Sequence, residues 1–137
     1  NLCTNAWHAL EGRPGRIDIR LDGVTLDAEA ARADAALRPG CFARLCVTDT
    51  GAGMDTVTLE RIYEPFFTTK PLGQGTGLGL SVVHGIVNAH RGAITVTSLP
   101  GRGTTFSLYF PAVQASEQTA APQDAATEPD GRGETRV

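Results

Sequence analysis

Between Tyr63 and Leu80 the sequence YEPFFTTKPLGQGTGLGL carries the chain's only lysine, Lys70, and glycines at the alternate positions 73, 75, 77 and 79. Glycine costs roughly 0.5–1 kcal/mol relative to alanine inside a regular element, so a cluster of this kind points to backbone torsions or close approaches that a side chain would forbid. The run leads into LGLSVVHGIVNAH, which reads as a helix ending near His90. Free N–H groups and the positive dipole end of that helix would face whatever the glycine loop encloses. Lys70 adds a mobile positive charge beside them. The chemistry that fits is capture of a phosphate-rich ligand, although the spacing matches neither G-x-x-x-x-G-K-[ST] nor a G-x-G-x-x-G that directly follows a strand.

Two further constellations accompany this one. DTGAGM, Asp49 to Met54, sets a carboxylate at the end of a strand with Gly51 and Gly53 directly after it. A carboxylate there can accept a hydrogen bond from an exocyclic amino group, and glycines let a flat ring lie against the backbone, a combination that suits adenine. Taken alone, the same letters also describe a plain Asp-Gly turn. Asn1 and Asn5 stand one helical turn apart, so both carboxamides project from one face. Carboxamide oxygens are hard ligands of the kind magnesium accepts in nucleotide sites, where phosphates and waters complete its shell. By themselves the two asparagines are equally readable as surface or capping residues.

The elements that must position these groups are legible by pattern. NLCTNAWHAL places Leu2, Ala6 and Leu10 at helical spacing with no capping residue before it, which predicts a segment taken from a longer chain. RIDIRLD alternates, with Ile17, Ile19 and Leu21 expected to point inward. CFARLCVTD alternates Phe42, Arg44 and Cys46 against Ala43, Leu45 and Val47, so both stretches predict strands. DAEAARADAALRPG between them reads as a short exposed helix or a loop closed by Pro39-Gly40. Asp55 or Thr56 can cap a short helix bearing Leu59 and Ile62. ITVTS and TTFSLYF, joined by LPGRG, predict an antiparallel hairpin. From Ala112 the composition turns to Ala, Gln, Glu, Thr and Pro, which predicts a flexible linker over 112–137, too poor in apolar surface to offset its ordering entropy.

Composition excludes several classes. With 137 residues and 41% hydrophobic content, the chain suits one domain with a moderate core, and no apolar run reaches membrane-spanning length. No secretory or lipid-anchor signal is visible, so a cytoplasmic domain without membrane contact is expected. Cys3, Cys41 and Cys46 show neither a disulfide framework nor zinc spacing. The net charge is −3, all of it in the tail beyond residue 111. A neutral body with no basic stripe argues against a nucleic-acid partner.

Taken together, NLCTNAWHAL, DTGAGM, YEPFF and GQGTGLGLSVV resemble, in order, the N, G1, F and G2 boxes of the histidine-kinase ATP-binding domain, and GRGTTFSLYFP resembles its closing strand. That family belongs to the GHKL superfamily of the Bergerat fold, shared with gyrase, Hsp90 and MutL. The likeness covers residues 1–111. It implies an α/β (α+β) two-layer sandwich, truncated at its N-terminus, with a mixed, mostly antiparallel sheet and helices on one face. The nucleotide would lie between the helices and a mobile lid.

The resemblance also implies roles. Asn5 would be the Mg2+ ligand and Asn1 a catalytic neighbour on the phosphate or metal side. Asp49 would bind the adenine amino group, with Gly51 and Gly53 flanking the ring and Thr104 supporting the pocket. Phe66 and Phe67 would anchor the lid. Lys70, with Thr69 before it, would act on the terminal phosphates of ATP. Gly75, Thr76, Gly77, Leu78 and Gly79 would line the phosphate chain, largely through backbone N–H groups. The spelling EPFFTTK and SVVHGIV is similar to nitrogen-regulator-like and hybrid sensor kinases more than to the osmosensor type. His8 stands where many members carry a charged residue such as Lys or Asp.

In this family the phosphoryl acceptor is a histidine on a separate dimerisation domain, within an H-E-x-x-x-P type sequence, and neither His8, His84 nor His90 has that context. The expectation is therefore ATP binding without self-phosphorylation by residues 1–137. Transfer to a dimerisation domain of the same protein follows, and onward transfer to a receiver domain or response regulator. The tail GRGETRV resembles the linker ahead of such a receiver, whose first strand would begin about Thr135 to Val137. Two alternatives stand beside this: an ATPase of the gyrase, Hsp90 or MutL kind, whose members carry a glutamate where this chain has Asn1, and a non-catalytic nucleotide-sensing module.

Overall fold

A computed structural model of the chain describes residues 1–70 and 75–113. Gly73 of the glycine run and the expected linker and receiver-leading tail beyond residue 113 lie outside the described residues. The elements run α1 (Leu2–Ala9), β1 (Ile17–Leu26), α2 (Ala28–Ala31), β2 (Gly40–Asp49), α3 (Thr56–Leu59), α4 (Gly79–Ala89), β3 (Ala93–Leu99) and β4 (Gly103–Pro111).

The four strands form one sheet in the order β1-β2-β4-β3, antiparallel at every described pairing. β3 and β4 make the expected hairpin, closed over Pro100–Arg102 with Gly101 at φ 76°. A glycine in that left-handed position is what a three-residue hairpin turn requires. Asp49 pairs with Ile17 on one side and Thr104 on the other, so the register brings the ends of β1, β2 and β4 level at one end of the sheet.

Register also sorts the side chains. Leu45, Leu108 and Ile94 lie in one row across the sheet, and Val47, Phe106 and Val96 in the next, all on the helix-bearing face. There Ile62, Val87, Ile94, Phe106 and Leu108 form the main core, against which Leu2, Met54, Leu59, Leu80 and Val83 pack. The opposite face carries a smaller cluster of Phe42, Ala93 and Tyr109, capped by Leu37 from the segment after α2. Phe42 and Tyr109 meet edge to face at 6.1 Å. Within the main core the Tyr63 ring stacks on His84 at 4.6 Å, and its hydroxyl is buried without a hydrogen-bond partner. Burial there pushes the phenol up to about 12, because the phenolate would be desolvated.

One expectation fails in part. Ile19 and Leu21 do lie on the core face, opposite Val47 and Leu45, yet they are 61% and 72% exposed. β1 is an outer strand, and no described element covers it at these two residues. The alternation therefore set their direction correctly and their burial incorrectly. Among the described residues no helix is long and apolar enough to cross a membrane.

Candidate functional site

A cavity of about 720 Å³ opens between α1, the end of the sheet and the segment joining α3 to α4. Each wall follows from local sequence. Asn1 stands at the N-cap of α1 and Asn5 one turn later, with Asn5 N–H donating to Asn1 O at 2.9 Å. Its apolar residue Ala6 is 3% exposed against the sheet, which leaves Asn1, Asn5 and His8 on the cavity side.

The floor is polar and buried. Asp49 and Thr104, 5% and 6% exposed, both line the cavity. Asp49 Oδ1 accepts from Gly51 N–H at 2.9 Å. Behind Thr104 lies Ser98, whose Oγ accepts from Met54 N–H at 2.8 Å and donates to Gly103 O at 3.1 Å. A hydroxyl has one proton, so the 2.8 Å contact between Ser98 and Thr104 must be donated by Thr104. The Thr104 oxygen therefore keeps its remaining acceptor capacity for the cavity. Two acceptors, Asp49 and Thr104, thus stand side by side on the floor and favour a ligand that brings donors.

The Asp49–Met54 loop is wedged between α1 and the β3–β4 hairpin. Ala52 N–H donates to Ala9 O at 2.9 Å and Gly101 N–H to Ala52 O at 2.7 Å. Gly53 has φ 68°, and a Cβ there would fall 1.9 Å from Leu99 O, so only glycine fits. Gly51 closes against the carbonyl end of α1, a Cβ there falling 2.4 Å from Ala9 O. It stands beside the cavity without lining it.

The outer wall comes from Phe67, Thr68, Thr69 and Lys70 on one arm and Gly75, Thr76, Gly77 and Gly79 on the other. The arms are tied together by Phe66 N–H donating to Gly77 O at 2.8 Å. Phe66 itself has φ 68°, is 75% exposed and does not line the cavity. Phe67 lines the cavity and carries the Arg61 guanidinium over its ring at 4.3 Å. Leu78, at the N-cap of α4, is also outside the lining. α4 starts with no side-chain cap, so the N–H groups of its first turn, which opens at Gly79 and Leu80 on the cavity wall, are available to an anion.

Of the residues singled out in the sequence, Asn1, Asn5, Asp49, Gly53, Phe67, Thr69, Lys70, Gly75, Thr76, Gly77, Gly79 and Thr104 converge on this one cavity, while Gly51, Phe66 and Leu78 adjoin it. Sequence reasoning gave no site role to His8, Met54, Thr68 or Ser98. His8 follows Asn5 by three positions on a helix and was findable by spacing. Ser98 was not, because only strand pairing brings it to Thr104. Among the described residues no group of three or more His, Cys, Asp or Glu is placed to hold a metal.

Comparisons with known proteins identify the family. The family model described as histidine kinase-, DNA gyrase B- and HSP90-like ATPase matches residues 1–114. The sensor kinase CckA of Brucella abortus is 43% identical over 113 residues, 81% of this chain and 12% of its own length. The two-component sensor PprA of Pseudomonas aeruginosa is 43% identical over 117 residues, 85% of this chain and 12% of that protein. The sensor histidine kinase ZraS of Salmonella typhi is 40% identical over 113 residues, 82% of this chain and 21% of that protein. The chain thus spans 12–21% of the length of these relatives. Among solved structures, the catalytic domain of the histidine kinase ThkA superposes with TM-score 0.58 at 32% identity, over 80% of this chain and 60% of that one. Full-length ShkA in complex with AMPPNP superposes with TM-score 0.55 at 27% identity, over 82% of this chain and 21% of that one. By family match, by identity and by fold, the chain belongs to the histidine kinase-, DNA gyrase B- and HSP90-like ATPase family.

Proposed function

We propose that residues 1–111 are the ATP-binding catalytic domain of a two-component sensor histidine kinase, which transfers the γ-phosphoryl group of ATP to a histidine on a separate dimerisation domain. The observation that carries this reading is the convergence of Asp49, Asn5, Lys70 and the uncapped start of α4 on one cavity. Asp49, with Thr104 beside it, accepts from the adenine amino group, and Gly53 leaves the ring room against the backbone. Lys70 and the N–H groups of Gly75, Thr76, Gly77 and Gly79 face the phosphate chain, with Thr69 alongside. Gly51 and Leu78 act from behind the wall, and Phe66 and Phe67 anchor the lid.

The donor set suits magnesium. Asn1 and Asn5 would offer neutral carboxamide oxygens, and magnesium in nucleotide sites takes the rest of its ligands from phosphates and waters. Asn5 would hold the ion, with Asn1 beside it, and the ion would neutralise charge on the phosphates. Phosphoryl transfer needs in-line positioning and charge neutralisation more than covalent help from the protein. Lys70 and the first turn of α4 supply the protein's share.

The acceptor lies elsewhere. His84 is stacked on Tyr63, and His90 Nδ1 bonds Ile86 O at the end of α4. Neither lines the cavity, and His8, which does, lacks the H-E-x-x-x-P context of the family's acceptor. The partners proposed are accordingly the dimerisation domain of the same protein and a receiver domain or response regulator, with 112–137 as the linker. A cytoplasmic location follows from access to ATP.

The test is incubation with radiolabelled ATP and Mg2+, alone and with a cognate dimerisation domain. Acid-labile phosphohistidine is expected only in the second case. Label on the chain alone would overturn the division of labour. Rapid steady-state hydrolysis would instead favour an ATPase, and nucleotide binding with no transfer to any dimerisation domain a sensing module. Lys70→Ala should depress transfer more than binding, because a charge acting on the transferred group matters most in the transition state.

A further inference from the structure

The chain's only lysine is held at three points. Its backbone N–H donates to Thr68 Oγ1 at 3.1 Å. Its aliphatic stem runs under Gly75, where an added Cβ would fall 2.9 Å from Lys70 Cδ and 3.0 Å from Thr68 Oγ1. Its ammonium lies 2.6 Å from His8 Nδ1, and both residues line the cavity. An ammonium has protons and no acceptor, so Nδ1 must be the acceptor and the imidazole neutral with its proton on Nε2. One of the three Nζ protons is used in this way, and two remain for the cavity.

We propose that His8 is a positioning residue for Lys70: it accepts a hydrogen bond from one ammonium N–H and thereby aims the other two at the terminal phosphates before nucleotide arrives. A lysine stem carries several rotatable bonds, and ordering it on binding costs affinity. His8 removes part of that cost in advance. Gly75 cooperates, since any side chain there would displace the stem that His8 orients. This inference rests on the nucleotide-binding reading given above.

Because Lys70 is unique, selective 13C-lysine labelling yields a single side-chain resonance set, read first without nucleotide. The expected result is a distinct Lys70 Cε–Hε signal in the parent chain that moves toward free-lysine values in His8→Ala. His8→Gln, whose Oε1 can accept, should restore part of the difference. An unchanged signal in His8→Ala would overturn the proposal whether or not nucleotide binds.

The second arm is a double-mutant cycle in ATP affinity. His8→Ala is expected to weaken ATP about fivefold, the equivalent of a net hydrogen bond of about 1 kcal/mol, and to have no effect in a Lys70→Ala background. An equal loss in both backgrounds would show that His8 acts without Lys70 and would overturn the assignment. Absence of ATP binding in the parent chain would overturn the functional reading, while the lysine resonance would still decide the contact. His8 is solvent-exposed, so its replacement leaves the core intact.

Discussion

Asp49 on β2 and Thr104 on β4 stand directly opposite one another in the sheet, and both are buried on the floor of the cavity. Their pairing places two acceptors side by side, one charged and one neutral. Because Asp49 Oδ1 already accepts from Gly51 N–H, the second carboxylate oxygen remains for a ligand.

Asp49→Asn tests that arrangement. The amide can keep the bond from Gly51 N–H through its own oxygen, and it then turns NH2 toward the ligand. One lost charge-assisted hydrogen bond is worth roughly 1.5–3 kcal/mol, or about 10- to 150-fold in Kd. Calorimetric titration with ATP should show a loss of this size while thermal stability changes little. Unaltered affinity would remove Asp49 from the ligand contacts.

Ser98→Ala addresses the layer behind the floor. Ser98 is the acceptor for Met54 N–H and for the Thr104 hydroxyl, and it satisfies Gly103 O. Alanine leaves all three groups short of a partner in a buried place, and each orphan of this kind costs about 1–3 kcal/mol unless water enters. Urea unfolding should shift to a lower midpoint by at least the equivalent of one such orphan. Nucleotide affinity should fall as well, since Thr104 loses the partner that fixes its proton. A midpoint equal to that of the parent would mean the Ser98 network is dispensable.

How much of this was legible beforehand depended on the range of the interaction involved. Period-two alternation marked β1 and β2, and the glycine-bearing turn marked the β3–β4 hairpin, because those signals are local. Asp55 and Thr56 were both candidate caps for α3, and the structure chooses Asp55, whose carboxylate accepts from Thr58 N–H at 2.8 Å. Ser98 was invisible because its role arises from a pairing with Thr104 that only the folded hairpin creates. The exposure of Ile19 and Leu21 has a related cause. Alternation fixes which face a side chain takes, but burial depends on what lies over that face. The glycine run was legible as a loop, and Gly75, Gly77 and Gly79 line the cavity, whereas their neighbours were not legible: Gly77 is pressed against the Phe66 backbone and Gly75 against the Lys70 stem.

Gly77 and Gly85, eight positions apart, separate constraint from composition. Gly77 has φ 68°, and a Cβ there would fall 2.3 Å from the Phe66 carbonyl carbon. Gly85, inside α4, would meet nothing within 4 Å. Gly77→Ala must therefore open the tie between Phe66 and Gly77 or strain the backbone by about 1–2 kcal/mol, and it should weaken ATP binding along with stability. Gly85→Ala should instead stabilise the fold by roughly 0.5–1 kcal/mol through its better helix propensity. Thermal melts of the two variants side by side should move in opposite directions; a shared direction would contradict the geometry at one of the two positions.

Acid sensitivity supplies the last test. Hydrogen bonds from the Thr58 backbone and side chain hold the Asp55 carboxyl below its ordinary value of 3.8, and the Arg44 guanidinium holds Asp22 below the same value. A carboxyl whose folded pKa is depressed contributes stability that is complete above its unfolded value and is lost as the pH falls through the folded one. Asp55→Ala should therefore melt at a lower temperature than the parent at neutral pH, since α3 loses its cap. The gap should narrow as the pH is lowered from neutrality past 3.8 and through the folded value below it, where the parent's own Asp55 takes up a proton. Asp22 is present in both chains, so the acid loss it causes cancels in the comparison. A gap between the two melting curves that stays constant across this range would mean that the charge on Asp55 contributes nothing to holding α3.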